Sequence, residues 1–162
     1  MADAIHLKLT GINGESTAAR HRDEIVVESW HWGVAAASLP PGGGSASVAR
    51  PTIAPFTFAH RVDLASPPLW QACAVGRRIA EAVLSIARPL ASAGDYLTLR
   101  MTDVLVTSIS LADAATDNTP PLETVSLYCA AFEYSYRPQL ANGSLGPAVT
   151  FSMNVGTGQA HP

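Results

Sequence analysis

The chain has 162 residues, 48% of them hydrophobic and only 14% charged, with a formal net charge of -3. A chain of this length can bury roughly 70% of the surface that it exposes unfolded, and an acidic balance with no polybasic run excludes a nucleic-acid footprint and gives no sign of a membrane-surface helix. A charged share well below the usual ~25% leaves too little charge to cover every face, so some faces are expected to be covered by copies of the same chain.

In chain order, Ile5 to Leu9 alternates Ile5, Leu7 and Leu9 against His6 and Lys8, which predicts a half-buried strand with His6 on its polar side. Gly11 to Gly14 then turns the chain, and His21 and Asp23 fall in a further polar turn. From Glu24 to Trp32 apolar groups occupy both faces, Val26, Trp30 and Trp32 on one and Ile25 and Val27 on the other, so one strand is expected with protein on each side. Gly33 to Arg50 contains Pro40-Pro-Gly-Gly-Gly-Ser-Ala-Ser47 and cannot hold a ladder; it exceeds the ~12 to 15 residues usual for an unstructured connection, which points to a loop that binds something or is disordered. Phe56 to Arg61 resumes an extended alternation.

A short helix follows. Ser66 is expected as its N-cap, Pro67 stands where no N–H is needed, and Asp63 lies near the positive end. Gly76 supplies a left-handed stop, with Arg77 and Arg78 near the negative end. Leu69, Trp70 and Cys73 share one side, and because a helix of about three turns is marginal alone, it is expected to dock its Trp70 face.

Ile79 to Leu90 reads equally as a helix, on Ile79, Val83, Ile86 and Leu90, or as a strand, on Ala80, Ala82, Leu84 and Ile86. Tyr96 to Ser110 predicts a long strand with Leu97, Leu99, Met101, Leu105 and Ile109 on one face and Thr98, Arg100, Thr102 and Ser108 on the other, interrupted in polarity by Asp103. Leu111 to Pro121 is a polar connection. Glu123 to Tyr136 sets Tyr128, Phe132, Tyr134 and Tyr136 against Val125, Leu127 and Cys129; Asn142-Gly143 marks a turn and Ala148 to Val155 a last strand. Seven or eight strands and one short helix, with no linker and no internal repeat, suggest a single mainly β domain over residues 1–162, a sandwich or a closed barrel.

Motifs for chemistry are scarce. The Gly-rich run lacks the Lys-Ser/Thr ending of a phosphate-cradling loop, and no Gly-x-Ser-x-Gly turn presents a nucleophile. His21, Asp23 and His31 are the nearest approach to a ligand set and read as solvated or packed side chains, so neither a metal nor a cofactor is expected. Asp63, Asp103 and Glu123 adjoin element ends, where turn and capping carboxylates are common; an enzyme would need them as an acid–base pair. Trp30, Trp32 and Trp70 read as core or interface packing, or else as the lining of a pocket in a small-ligand-binding β-barrel. Cys73 and Cys129 read as small buried apolar residues rather than reactive thiols. No apolar run approaches the ~18 residues of a membrane span, and Met1 to Leu9 lacks the cationic leader and apolar core of a cleavable signal, which also discounts the acceptor pattern Asn142-Gly-Ser144.

Several strings nevertheless occur together and in order: Gly14-Glu-Ser-Thr17; His21-Arg-Asp-Glu-Ile-Val-Val-Glu-Ser-Trp-His-Trp-Gly33; Phe56-Thr-Phe-Ala-His-Arg-Val-Asp63 with Ala65-Ser66-Pro67; and Ala72-Cys-Ala-Val-Gly76. They continue with Tyr96-Leu97, Leu99-Arg-Met-Thr-Asp-Val-Leu-Val106, Glu123-Thr-Val-Ser-Leu127, Phe132-Glu-Tyr-Ser-Tyr-Arg-Pro-Gln139 and Gly143-Ser-Leu-Gly146. Across nearly its whole length the chain resembles Hcp, the haemolysin-coregulated tube protein of bacterial type VI secretion systems.

The resemblance implies a two-sheet β-barrel with one short flanking α-helix and a long extended loop, assembled as a homohexameric ring whose copies stack into a hollow tube. It implies that Ile79 to Ile86 is a strand, and that the loop containing Gly42, Gly43, Gly44, Ser45, Ala46 and Ser47 reaches toward the neighbouring ring. Thr98, Arg100, Thr102 and Ser108 become candidates to face the lumen. Implied partners are other copies of the chain, a contractile sheath, a spike protein and secreted effectors carried as small cargo. Assembly in the bacterial cytoplasm and export by the type VI system without a signal peptide follow from the same resemblance, and no enzymatic activity does. Pro55, where related chains usually carry a polar residue, and the more apolar helix start Pro67-Pro68-Leu69-Trp70 depart from the family pattern and bear on the ring contacts more than on the fold.

Overall fold

The computed structural model describes residues 3–36, 50–88, 94–113 and 118–162. These form eleven strands and one helix: β1 (Ala4–Leu9), β2 (Ile25–Val26), β3 (Ser29–His31), β4 (Val34–Ala35), β5 (Thr52–Ile53), β6 (Phe56–Arg61), α1 (Ser66–Val75), β7 (Arg78–Ala87), β8 (Asp95–Ala112), β9 (Leu122–Tyr136), β10 (Val149–Asn154) and β11 (Gln159–His161). The fold is mainly β with one short helix. All pairings among the described residues are antiparallel, and nine strands join one sheet: seven follow the path β11-β10-β9-β8-β7-β1-β2, while β6 pairs with β9 and β3 with β6.

Strand β9 is the trunk of this sheet. One edge pairs with β8 along almost its whole length; the other pairs with β6 over Leu122–Leu127 and with β10 over Ala131–Tyr136. The sheet therefore forks at residues 128–130. At that level the inward side changes. Ile79, Val104 and Cys129 form one buried row, and the next buried row is Ala82, Met101, Phe132 and Met153, three residues further along rather than two. Asp103 stands between them with a φ of 53°, a left-handed conformation that inverts the pleat without displacing the register.

This inversion corrects two expectations. Leu97, Leu99 and Met101 do not share a face with Leu105 and Ile109 throughout; Val104 and Val106 point inward beyond Asp103, and a bulge at Thr107 restores the original phase, so that Ile109 meets Val125. Likewise Phe132 is buried with Val125, Leu127 and Cys129, while Tyr128, Tyr134 and Tyr136 remain exposed.

The segment expected as one strand over Glu24 to Trp32 is two. Strand β2 pairs with β1, whereas β3 pairs with β6. Between them the Val27 N–H donates to the Ile5 carbonyl at 3.0 Å and the Glu28 N–H to the Ala59 carbonyl at 2.9 Å, which carries the chain from one sheet edge to the other. Among the described residues the strand ladders do not close into a barrel. Strands β4 and β5 pair across the base of the long loop, and Gly42 to Ser47 lie outside the described residues. Strand β7 adopts the extended form because it pairs with β1 on one edge and β8 on the other, a double ladder that outweighs the helical propensity of its Ala, Glu and Leu.

Helix α1 lies against β8 and buries Ser66, Leu69 and Ala72. Ser66 is its first residue, not its N-cap: Ala65 precedes it in a right-handed conformation, the Ser66 Oγ accepts from the Asp63 N–H at 3.1 Å, and Asp63 Oδ1 accepts from the Ala65 N–H at 2.8 Å. The two side chains thus close the turn before the helix reciprocally. Pro67 and Pro68 are tolerated because first-turn N–H groups have no partner within the helix. Gly76 ends it with φ 65° and ψ 34°. The docked face is Leu69 and Ala72, both fully buried, with Cys73 half-buried; the Trp70 ring is 44% exposed.

Gly14 marks a different constraint. Its N–H donates to the Asp23 carbonyl at 2.8 Å, and a Cβ there would stand 2.5 Å from the Glu24 carbonyl oxygen. The three nearest atoms are all backbone, of Glu24 and Ile25, so Gly14→Ala is expected to lower stability by about 1–3 kcal/mol, read as a lower urea midpoint at unchanged m.

Candidate assembly site

Five separate stretches build an apolar hollow on the protein surface. Strand β3 contributes Trp30, the residues after it Trp32 and Val34, β5 contributes Ile53, and the sheet contributes Leu99, Phe132, Tyr134 and Phe151. The hollow holds about 240 Å³ and its lining is almost wholly apolar. Its floor is rigid: Trp32 meets Phe132 edge-on at 4.6 Å and Phe56 at 5.8 Å, and the Trp32 Nε1–H donates to the Ala54 carbonyl at 2.8 Å, so the indole is fixed at both ends. Its rim is open, with Val34 60% and Phe151 39% exposed. Tyr134 and Phe151 also line a second hollow with Tyr136, Val149 and Thr150, extending the apolar surface along β9 and β10.

Aromatic content in Trp30 and Trp32 was legible in the chain, but Trp70 does not join them; it lies on α1 and bonds elsewhere. Ile53, Phe132 and Phe151, far apart in sequence, complete the hollow. Phe132 and Phe151 lie on the core-facing side of their strands, where apolar residues are usual, and Ile53 packs against the same core, so no local signal set them apart.

Thr98, Arg100, Thr102 and Ser108 all lie on the face of β8 turned away from the core. Register places Ser85, Thr98, Ser135 and Thr150 in one row of four hydroxyl side chains across β7, β8, β9 and β10. In the next row Arg100 stands opposite Glu133 and its Nη1 reaches Glu81 Oε2 at 2.6 Å; the Thr102 hydroxyl donates to the Ala131 carbonyl at 3.3 Å. The face is polar and nearly charge-balanced.

Two polar clusters lie inside the protein, where alternation gave no hint of them. Under α1, His60 and Glu123 are cross-strand partners, each 1% exposed, with His60 Nε2 3.1 Å from Glu123 Oε2. The Trp70 Nε1–H donates to Glu123 Oε1 at 2.7 Å, and Asp63 Oδ1 lies 3.7 Å from His60 Nδ1. Burial raises the Asp63 carboxyl above its ordinary range, opposed by the bond from the Ala65 N–H. At the other end of the sheet His6, expected on a polar face, is 6% exposed and stacks on His21. Neither cluster offers a nucleophile beside an accessible base. Burial lifts the Cys129 thiol to about 11, which keeps it protonated and inert. Among the described residues no group of three or more His, Cys, Asp and Glu could hold a metal ion, and no helix is long and apolar enough to cross a membrane.

An open apolar surface beside a polar face, with two histidine–carboxylate clusters buried beneath, suits contact with other protein. The model of the family described as "Type VI secretion system effector, Hcp" matches residues 6–136, and the chain belongs to that family. It is a tube protein of type VI secretion, exported by that system, and not an enzyme. It is 28% identical over 161 residues to Protein hcp1 of Pseudomonas aeruginosa, covering 96% of each chain. It superposes on Hcp1 from Salmonella typhimurium with a TM-score of 0.80 at 29% identity, covering 99% of this chain and 100% of that one. With a protein described as a type six secretion system protein it shares the fold at a TM-score of 0.91 and 22% identity, covering 99% and 100%.

Proposed function

We propose that residues 1–162 form a single domain whose copies form six-membered rings, and that these rings stack into the hollow inner tube of a type VI secretion system. The observation that carries this reading is the apolar hollow around Trp32, Phe132 and Phe151, because a surface of that kind, fixed and open, calls for a protein partner. A head-to-tail ring covers the same patch on every copy and leaves no unmatched end. The protomer is taken as a two-sheet barrel: the fork at β9 lets both halves share one core, and the stretch from Ile25 to His31 links the opposite edges.

In this arrangement Thr98, Arg100, Thr102 and Ser108 face the lumen, where short hydroxyl side chains and a neutralised Arg100 would let small effector cargo pass without sticking. The loop bearing Gly42 to Ser47 contacts the next ring. The assembled tube resides in the bacterial cytoplasm inside a contractile sheath, carries a spike protein at its tip, and leaves the cell through the type VI system. Negative-stain micrographs of the purified full chain are expected to show rings, with a light-scattering mass six times that of the protomer; a monomer at every concentration overturns the reading. Deleting Gly42 to Ser47 is expected to weaken ring stacking more than ring formation; single rings that fall apart instead would assign the loop a different role.

A further inference from the structure

His6, in β1, lies with its ring nearly parallel to that of His21, the centroids 4.6 Å apart and the planes 8° from each other. His21 is itself held between two carboxylates, with Nδ1 2.8 Å from Glu24 Oε2 and Nε2 3.0 Å from Asp95 Oδ1; Arg20 Nη2 takes the second Asp95 oxygen at 3.4 Å. Both His21 nitrogens can donate to ionised carboxylates only when the ring carries two protons and a positive charge. His6 has no such support. It is 6% exposed, its Nδ1 has no hydrogen-bond partner, and its ladder partners are the neutral Val26 of β2 and Ser85 of β7. The charged groups facing it are His21 and Glu24 from the segment between β1 and β2, and Asp95 from the start of β8.

A proton on His6 would therefore place a cation face to face with a ring that already donates toward two carboxylates, in a site closed to water. We propose that the His6–His21 stack is an acid-sensitive pin: protonation of His6 drives open the corner where β1, the segment from Gly14 to Ile25 and the start of β8 meet, while the pairing of β9 with β6 and β8 persists. Burial, and then the charge on His21, lower the His6 pKa from its ordinary 6.5, with Glu24 and Asp95 opposing. The opened corner thus binds the proton more readily than the closed one. Closure is at full strength above about pH 6.5 and is lost as pH falls from there toward the lowered value.

The test is amide hydrogen exchange on the full-length protein at about pH 7 and about pH 5, corrected for intrinsic rates, where linkage to one proton allows up to tenfold loss of protection per pH unit. Amides of Ala4–Leu9 and Gly14–Ile25 are expected to lose protection on the order of tenfold, those of Leu122–Leu127 much less. His6→Phe, which keeps a stacked ring that cannot titrate, is expected to remove the difference. Equal protection at both pH values, or an undiminished loss in His6→Phe, overturns the proposal. Should that variant fail to fold, the wild-type ring resonances decide: His6 is expected to titrate below about 6.5, and a midpoint at or above that value overturns it.

Discussion

Phe151→Glu is expected to yield a folded protomer that no longer assembles. Phe151 sits at the junction of the two apolar hollows, its ring 6.0 Å from Phe132 and 39% exposed. In the free protomer the new carboxylate can remain in water, so thermal stability should move by no more than about 1 kcal/mol. In a ring the same carboxylate would enter each subunit contact without a cation to meet it, a cost of about 3–5 kcal/mol per contact, repeated at every junction around the axis. Light scattering should report a protomer mass at concentrations where the unaltered protein is oligomeric. Rings that persist in Phe151→Glu and in Tyr134→Glu would place the subunit contact elsewhere.

Glu123→Ala is expected to lower stability by about 3–5 kcal/mol. It would strip the buried His60 of its carboxylate neighbour and the Trp70 Nε1–H of its acceptor at once. A domain has only about 5–15 kcal/mol in total, so much of the margin would vanish. Glu123→Gln should cost markedly less, because its amide oxygen can still accept from Trp70. Urea unfolding of both variants, followed by tryptophan fluorescence, separates the two contributions; equal midpoints would mean that the Glu123 charge matters little and packing alone sets the loss.

Where backbone pattern and burial agree, the chain was legible. Phe56 to Arg61 is the strand expected, Tyr96 to Ser110 and Glu123 to Tyr136 lie within β8 and β9, and Gly76 ends the helix as its left-handed conformation requires. Failures cluster where a residue departs from what its type advertises. Asp103 adopts a positive φ that glycine would have announced, and with it the inward faces of three strands reverse. The break between β2 and β3 depends on two different partner strands, which no local pattern encodes. Strand β11 has no apolar alternation and exists because β10 offers it an edge. Of the assembly site, Trp30 and Trp32 could be picked out by composition, whereas Phe132, Phe151 and Ile53 gain meaning only when the fold brings them together. His6 and His60 were unreadable for a related reason: a polar residue in an alternating strand reads as solvated, and only tertiary pairing reveals it as interior.

The pleat inversion shared by β7, β8 and β9 bears on how the chain avoids mispairing. In a uniformly alternating strand a slide by two positions restores every side chain to its proper side and costs little beyond the ends. Here such a slide would set the skipped pair Asp103 and Thr102 against residues that still alternate, forcing polar groups inward on one flank or apolar groups outward on the other. Sliding errors of either parity are thereby penalised, and long hairpins that would otherwise tolerate several alignments are left with one.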